Sequence, residues 1–213
     1  KTIVPGFYDA HIHPRCLYPE MHILGVVDLT PPGISSMEEL IEVLQKKAKA
    51  TPEGQWVYGS RYSDIKTGRH PTKEDLDKVS TVHPVFVRHS SGHVSACNSY
   101  ALAMANITKD TPNPPGGAFD RDVNGCPNGV LREGAARIIR KAGPAVPEVS
   151  EKEELEAFLA CFDNFIAKGI TSVGDAGASP EKMKLYEAAY HAGQPVRVNA
   201  MIHNRYMNEA FNM

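Results

Sequence analysis

Residues 150–202 constrain the fold of this chain more than any other stretch. Ser150 and Glu153 form a capping box that satisfies orphan amides at a helix start, and Leu155, Phe158, Leu159, Phe162, Phe165 and Ile166 then recur at helical spacing. Gly169 is a good C-cap, and residues 170–175 read as a short buried strand. Ser179-Pro180 starts a second helix with proline in its first turn, Gly193 closes it, and residues 195–202 are again a strand. Helix, strand, helix, strand with short connections is the pattern of parallel βα units, which sets the fold class as α/β.

The chemistry-bearing residues lie elsewhere. Near the start, Val4-Pro5-Gly6-Phe7-Tyr8-Asp9-Ala10-His11-Ile12-His13-Pro14 combines a turn signal, an apolar strand and a proline that cannot donate to a sheet ladder. In a regular strand Phe7, Asp9, His11 and His13 share one face, so two imidazoles stand side by side at the strand's C-terminal end with a carboxylate two residues upstream. A carboxylate beside ligating imidazoles is a metal-site arrangement, with Asp9 supporting His11 and His13. A pair of ordinary histidines is the alternative. Asp175 ends its strand much as His13 ends the first, and reads either as a supporting carboxylate at the same rim or as a turn and capping residue.

Between these stretches, Ser36 and Glu39 cap a helix that runs to about Ala50, with Leu40, Ile41, Leu44 and Ala48 as its apolar stripe. A short strand at 25–29 precedes it and another at 55–59 follows. The strand at 55–59 leads into the polar loop Ser60-Arg61-Tyr62-Ser63-Asp64, where Arg61 and Tyr62 are candidates to touch a ligand and a plain surface turn is the alternative. Thr72 opens a short helix, and residues 84–89 form a strand running into Ser90-Ser91-Gly92-His93. His93, in a loop after a strand, is the candidate catalytic side chain, and His89 is a weaker one. Asn124-Gly125 marks a hairpin, while residues 129–141 read as entering a helix, with Glu133 a ligand, an acid/base group or a surface residue.

Composition excludes several function classes. With 213 residues, 42% hydrophobic and 23% charged, the chain is an ordinary globular one, and a net charge of −2 with no basic, aromatic-interleaved stripe argues against a nucleic-acid partner. No apolar run is long enough to span a bilayer, so no membrane partner is expected. Cys16, Cys97, Cys126 and Cys161 show no paired spacing and read as free thiols of a reducing, cytoplasmic compartment.

Several of these segments together resemble a known family. The opening P-G-F-x-D-x-H-x-H run is similar to that of the metal-dependent amidohydrolase superfamily. Residues 84–88, Gly92-His93, Asn98-Ser99-Tyr100-Ala101-Leu102, Pro115-Gly116-Gly117, the stretch from Asp122 to Glu133 and Gly169-Ile170-Thr171-Ser172-Val173 narrow the resemblance to amidohydrolase family 3. The resemblance implies a (β/α)8 TIM-type barrel, here partial, with a hairpin-containing insertion at roughly 55–145 and regular βα units at roughly 150–202. It implies one or two divalent ions of the zinc type, with His11 and His13 as first-strand ligands. The implied activity is hydrolysis of amide-like carbon–nitrogen bonds in a small molecule by metal-activated water.

The family's remaining metal-site residues, a carboxylatable lysine, two further histidines and an aspartate, have no match here. The chain therefore reads as a piece of a longer enzyme or a shortened relative, with a catalytically incompetent barrel of structural or binding role as the alternative. Open strand edges in such a piece predict aggregation or pairing into a homo-oligomer.

Overall fold

The computed structural model describes residues 3–12, 14, 25–145 and 150–206. Its chain divides into two compact units, Leu24–Val146 and a second made of Lys1–Ile23 with Pro147–Met213.

The second of these is built on three parallel strands, β1 (Phe7–Ile12), β8 (Ile170–Ala178) and β9 (Arg197–Ile202), in the order β1-β8-β9. Helix α6 (Glu151–Ala167) precedes β8, and α7 (Pro180–His191) connects it to β9. Both capping signals operate as the sequence indicates: Ser150 and Glu153 exchange hydrogen bonds at the start of α6, and Ser179 caps α7 with Pro180 in its first turn. Phe158 and Phe162 of α6 pack on Val173 and Ala178 of β8 and on Tyr186 and Ala189 of α7, so the helices cover the sheet face that carries Val173.

Strand β1 departs from simple alternation. Asp9 pairs with Val173 and Ile12 with Asp175, so one extra residue of β1 bulges between them. Laterally paired residues of a parallel sheet share a face, which puts Ile12 on Asp9's side rather than opposite it. The strand lies unusually close to β8. A Cβ on Gly174 would meet the Ala10 carbonyl oxygen at 2.5 Å, and one on Gly6 would collide with the Thr171 side chain, which is why the opening motif needs glycine there.

Unit Leu24–Val146 holds a six-stranded mixed sheet of order β2-β3-β4-β5-β7-β6. Its strands are β2 (Val27–Asp28), β3 (Val57–Tyr62), β4 (Val85–His89), β5 (Val94–Cys97), β6 (Gly117–Arg121) and β7 (Pro127–Glu133). The first three run parallel and the rest antiparallel. Alternation along β3 and β4 splits the core in two. Val57, Val85 and Val87 join Leu40 and Leu44 of α1 (Met37–Lys49) on one face, whereas Trp56, Tyr58 and Phe86 join Leu102 and Ile139 on the other. Leu102 belongs to α4 (Ser99–Met104) and Ile139 to α5 (Ala135–Ala142); the short helices α2 (Asp64–Thr67) and α3 (Lys73–Asp77) lie between β3 and β4 in sequence.

Four sequence expectations are corrected. Residues 60–62 belong to β3 rather than to a loop, because Ser60 pairs with Arg88 and Tyr62 with His89 across the parallel ladder. Residues 129–133 are strand, not helix, since β7 is held on both sides by β5 and β6. Asp175 sits inside β8, which continues to Ala178, so it is neither a turn nor a capping residue. Finally, Cys97 and Cys126 are free, but Cys161 is disulfide-bonded, so four free thiols no longer support a reducing compartment. Disulfide pairing follows spatial approach, which sequence spacing does not reveal. Cys16, like His13, lies outside the described residues.

One side chain ties the six-stranded sheet to its helices. Asn98, fully buried, accepts at Oδ1 from the Val85 and Ala101 amides, each at 3.0 Å, and donates from Nδ2 to the Ser80 and His83 carbonyls, each at 2.9 Å. Replacing Asn98 by alanine strands all four backbone groups. The Asn98→Ala variant is expected to lose about 3 to 5 kcal/mol of unfolding free energy in a urea titration, several times the loss from an exposed substitution such as Val123→Ala.

Candidate functional site

The candidate side chains fall into two groups, one in each unit. In the unit of β1, β8 and β9, His11 is exposed near the C-terminal end of β1, and the Asp9 carboxylate accepts the His11 backbone N–H at 3.3 Å. In the adjacent strand β8, Asp175 is fully buried and faces the helices: its Oδ2 takes a hydrogen bond from Tyr186 at 2.9 Å and an ion pair from Lys182 at 2.7 Å. Burial, with the hydrogen bond to Asp175 and its charge, pushes the Tyr186 phenol far above its ordinary range, so it remains a donor. Asp175 therefore locks α7 onto the strand end beside Ile12, its partner in the ladder.

Whether these residues suit a metal is a question of donor chemistry. The exposed imidazole of His11 suits one ligand position, while the Asp9 carboxylate is bonded to the backbone there and not to the ring. Among the described residues no group of three or more His, Cys, Asp or Glu side chains is placed to hold an ion, so a complete ligand set is not assembled by them.

In unit Leu24–Val146 the ends of β3, β4, β5 and β7 carry a polar cluster. The backbone of Arg61 takes a left-handed φ of 70° at the point where β3 slips register against β4, and its guanidinium pairs with Asp28. Tyr62, the next residue, is fully buried, with its hydroxyl 3.1 Å from Nδ1 of His70. Any contact it makes with a ligand runs through His70. The rings of Tyr62, His70 and His89 pack edge to face in a triangle, with centroids 5.1–6.0 Å apart.

His89 is the better-held imidazole. Its Nδ1 accepts the Ser91 backbone N–H at 3.1 Å and is 2.8 Å from the Ser91 hydroxyl, so the ring proton sits on Nε2 and is donated to Asp64 at 3.0 Å. Desolvation alone would raise the Asp64 carboxyl. The hydrogen bond from His89 and the two neighbouring imidazoles hold it below the usual carboxylate range.

His93, the sequence candidate for catalysis, is exposed at the β4–β5 turn, and its Nδ1 lies 2.9 Å from Glu133 Oε1. Glu133 has a left-handed φ of 48° and extends the β5–β7 ladder through its N–H to the His93 carbonyl. The Pro115-Gly116-Gly117 motif makes that conformation possible: Gly117 pairs with Glu133, and a Cβ on it would lie 2.6 Å from the Ala135 nitrogen. Of the three non-glycine residues in the left-handed region among the described residues, Arg61, Asn106 and Glu133, two lie at this rim, where ladder pairing sustains them.

Arg61, Tyr62, His89 and His93 of this rim carry sequence signals, whereas Asp64 and His70 carry none that assigns them a role. Asp64 was visible only as the end of a polar loop, and His70, before a proline and outside any strand, carried no periodic signal. Asp64 meets His89 twenty-five residues on, and His70 meets Tyr62 across a gap of eight that runs through α2 rather than along one element.

A search with family models gives a match to the amidohydrolase family over residues 1–213. The chain is 35% identical to N-substituted formamide deformylase of Arthrobacter pascens over 199 residues, covering 91% of this chain and 36% of that enzyme. Among solved structures, an uncharacterized metal-dependent hydrolase from Pyrococcus furiosus matches with TM-score 0.55 and 26% identity over 98% of this chain and 40% of that one. A second, from Pyrococcus horikoshii OT3, matches with TM-score 0.57 and 21% identity, again over 98% of this chain and 38% of the other. The mixed α/β fold is thus that of metal-dependent hydrolases. This chain belongs to the amidohydrolase family, and it spans well under half the length of the relatives it matches.

Partial burial lowers the His70 pKa below its ordinary value, and the His89 and Arg132 charges add to that against the opposing Asp64 and Asp120. A histidine whose folded pKa is depressed contributes stability that is present above the unfolded value of about 6.5 and is lost as pH falls through it. Unfolding free energy should therefore decline between pH 7 and pH 5. The slope should be shallower in His70→Gln, and an NMR titration of His70 in the native protein should give a midpoint below 6.5.

Proposed function

We propose that the chain forms the first part of a (β/α)8 barrel whose enzyme hydrolyses carbon–nitrogen bonds of non-peptide amides or formamides. The observation that carries this reading is the parallel order β1-β8-β9 joined through α6 and α7, with the histidine segment at the end of the first strand and buried Asp175 paired beside it. Family membership and the similarity to a formamide deformylase support the same bond class.

In this reading His11 and His13 contribute imidazole ligands to a divalent ion of the zinc type, which when bound supplies an activated water and polarises the substrate carbonyl. The chain's own groups do the holding. Asp9 fastens the backbone at His11, and Asp175 fixes the strand end through Lys182 and Tyr186. In unit Leu24–Val146, taken by itself, the candidate ligand-facing residues are His93, held by Glu133 at an exposed turn, and Arg61 at the same rim.

The test is metal content and turnover together. After equilibration with zinc and desalting, the purified chain is expected to retain zinc near stoichiometry by elemental mass spectrometry, and the His11→Ala/His13→Ala double variant to retain less than a tenth of it. Hydrolysis of N-benzylformamide should follow the metal. Zinc no higher than in the double variant would instead assign this chain a structural or binding role.

A further inference from the structure

The feature left without a role is the buried pairing of Tyr62 with His70. Tyr62 is fully enclosed, and burial together with the Asp64 charge pushes its phenol far above the ordinary range, so it keeps its proton. His70 is the hydrogen-bond partner of its hydroxyl among the described residues. If the ring donated from Nδ1, the buried O–H would have no acceptor. Donor accounting therefore has Tyr62 donating to Nδ1, which leaves the His70 proton on Nε2.

That Nε2–H finds no hydrogen-bond acceptor among the described residues, and His70 is half-buried at the rim where His89, Asp64 and the two left-handed residues converge. The edge-to-face contacts with Tyr62 and His89 fix the ring plane, and His89 has both nitrogens engaged, so His70 is the imidazole with a donor to offer. A neutral, oriented N–H donor matches a neutral acceptor. It suits the carbonyl oxygen of an uncharged amide better than a carboxylate, which draws its binding from cationic, bidentate donors; the nearby guanidinium of Arg132 is already engaged in that way by Asp120 at 2.7 and 2.8 Å.

We infer that His70, set in its Nε2–H tautomer by Tyr62, is a ligand-binding residue of unit Leu24–Val146 that donates a hydrogen bond to the carbonyl oxygen of an uncharged amide. This deepens the amide-hydrolase reading and rests on it for the choice of ligand. Binding needs no chemistry, so it can be tested on the metal-free chain, where a failure of hydrolysis does not interfere.

The experiment uses the full chain labelled with 15N-histidine, stripped of metal with EDTA, at pH 7.5. N-benzylformamide should shift the His70 ring signals saturably, and benzoate should bind at least tenfold more weakly. His70→Phe keeps the ring volume and removes the donor, but orphans the Tyr62 hydroxyl. The Tyr62→Phe/His70→Phe double variant removes both partners and preserves the packing. Both should lose at least tenfold in amide affinity by calorimetry, and Tyr62→Phe alone should weaken binding severalfold while redistributing the His70 tautomer signals. Absence of a saturable shift at His70, benzoate binding as tightly as the amide, or unchanged affinity in the double variant would each overturn the assignment.

Discussion

The six-stranded unit depends on the four hydrogen bonds of Asn98. A primary amide has two lone-pair acceptor positions and two N–H donors, and here all four meet backbone groups that would otherwise be buried without partners. Through them the start of β4, the N-terminus of α4 and the turn at residues 80–83 become one rigid corner. Strand β4 leaves that corner and ends at His89, and the hairpin turn that follows returns through His93. The geometry of both imidazoles is thus set by a side chain that touches neither of them.

A different constraint governs the three parallel strands. Close approach of β1 to β8 requires glycine at positions 6 and 174, and a bulge in β1 resets which residues face the helices. Asp175 is then enclosed, where an unpaired carboxylate would be costly, and Lys182 and Tyr186 offset that cost. The ion pair fastens α7 to the sheet while the surface of β1 that carries His11 stays open.

The rim of the six-stranded unit shows how imidazoles are held in fixed orientations. His89 donates an Nε2–H hydrogen bond to Asp64 and accepts at Nδ1 from Ser91, so both nitrogens are engaged. Partial burial lowers the His70 pKa, and the buried Tyr62 hydroxyl, whose own pKa burial raises, holds the ring in one tautomer. The backbone at Arg61 and Glu133 adopts left-handed values that cost free energy, and ladder pairing on both sides sustains them.

Local rules made much of this legible in the sequence. The Ser36 cap, the capping box at Ser150, the Ser179-Pro180 start, the Asn124-Gly125 turn and the apolar stripes depend on neighbours a few residues apart, and the helices and the hairpin appear where those signals stand. The opening motif and the ordered downstream segments were likewise enough to indicate the family. Tertiary structure alone decided the rest. That residues 60–62 are strand rather than loop was set by pairing with β4, and that Asp175 points into the helix layer was set by Lys182 and Tyr186. That Cys161 is disulfide-bonded and that Tyr62 and His70 form one donor unit are likewise matters of spatial approach. Periodicity reports which face of an element is apolar; it carries no information about which distant side chain completes a hydrogen bond on the other.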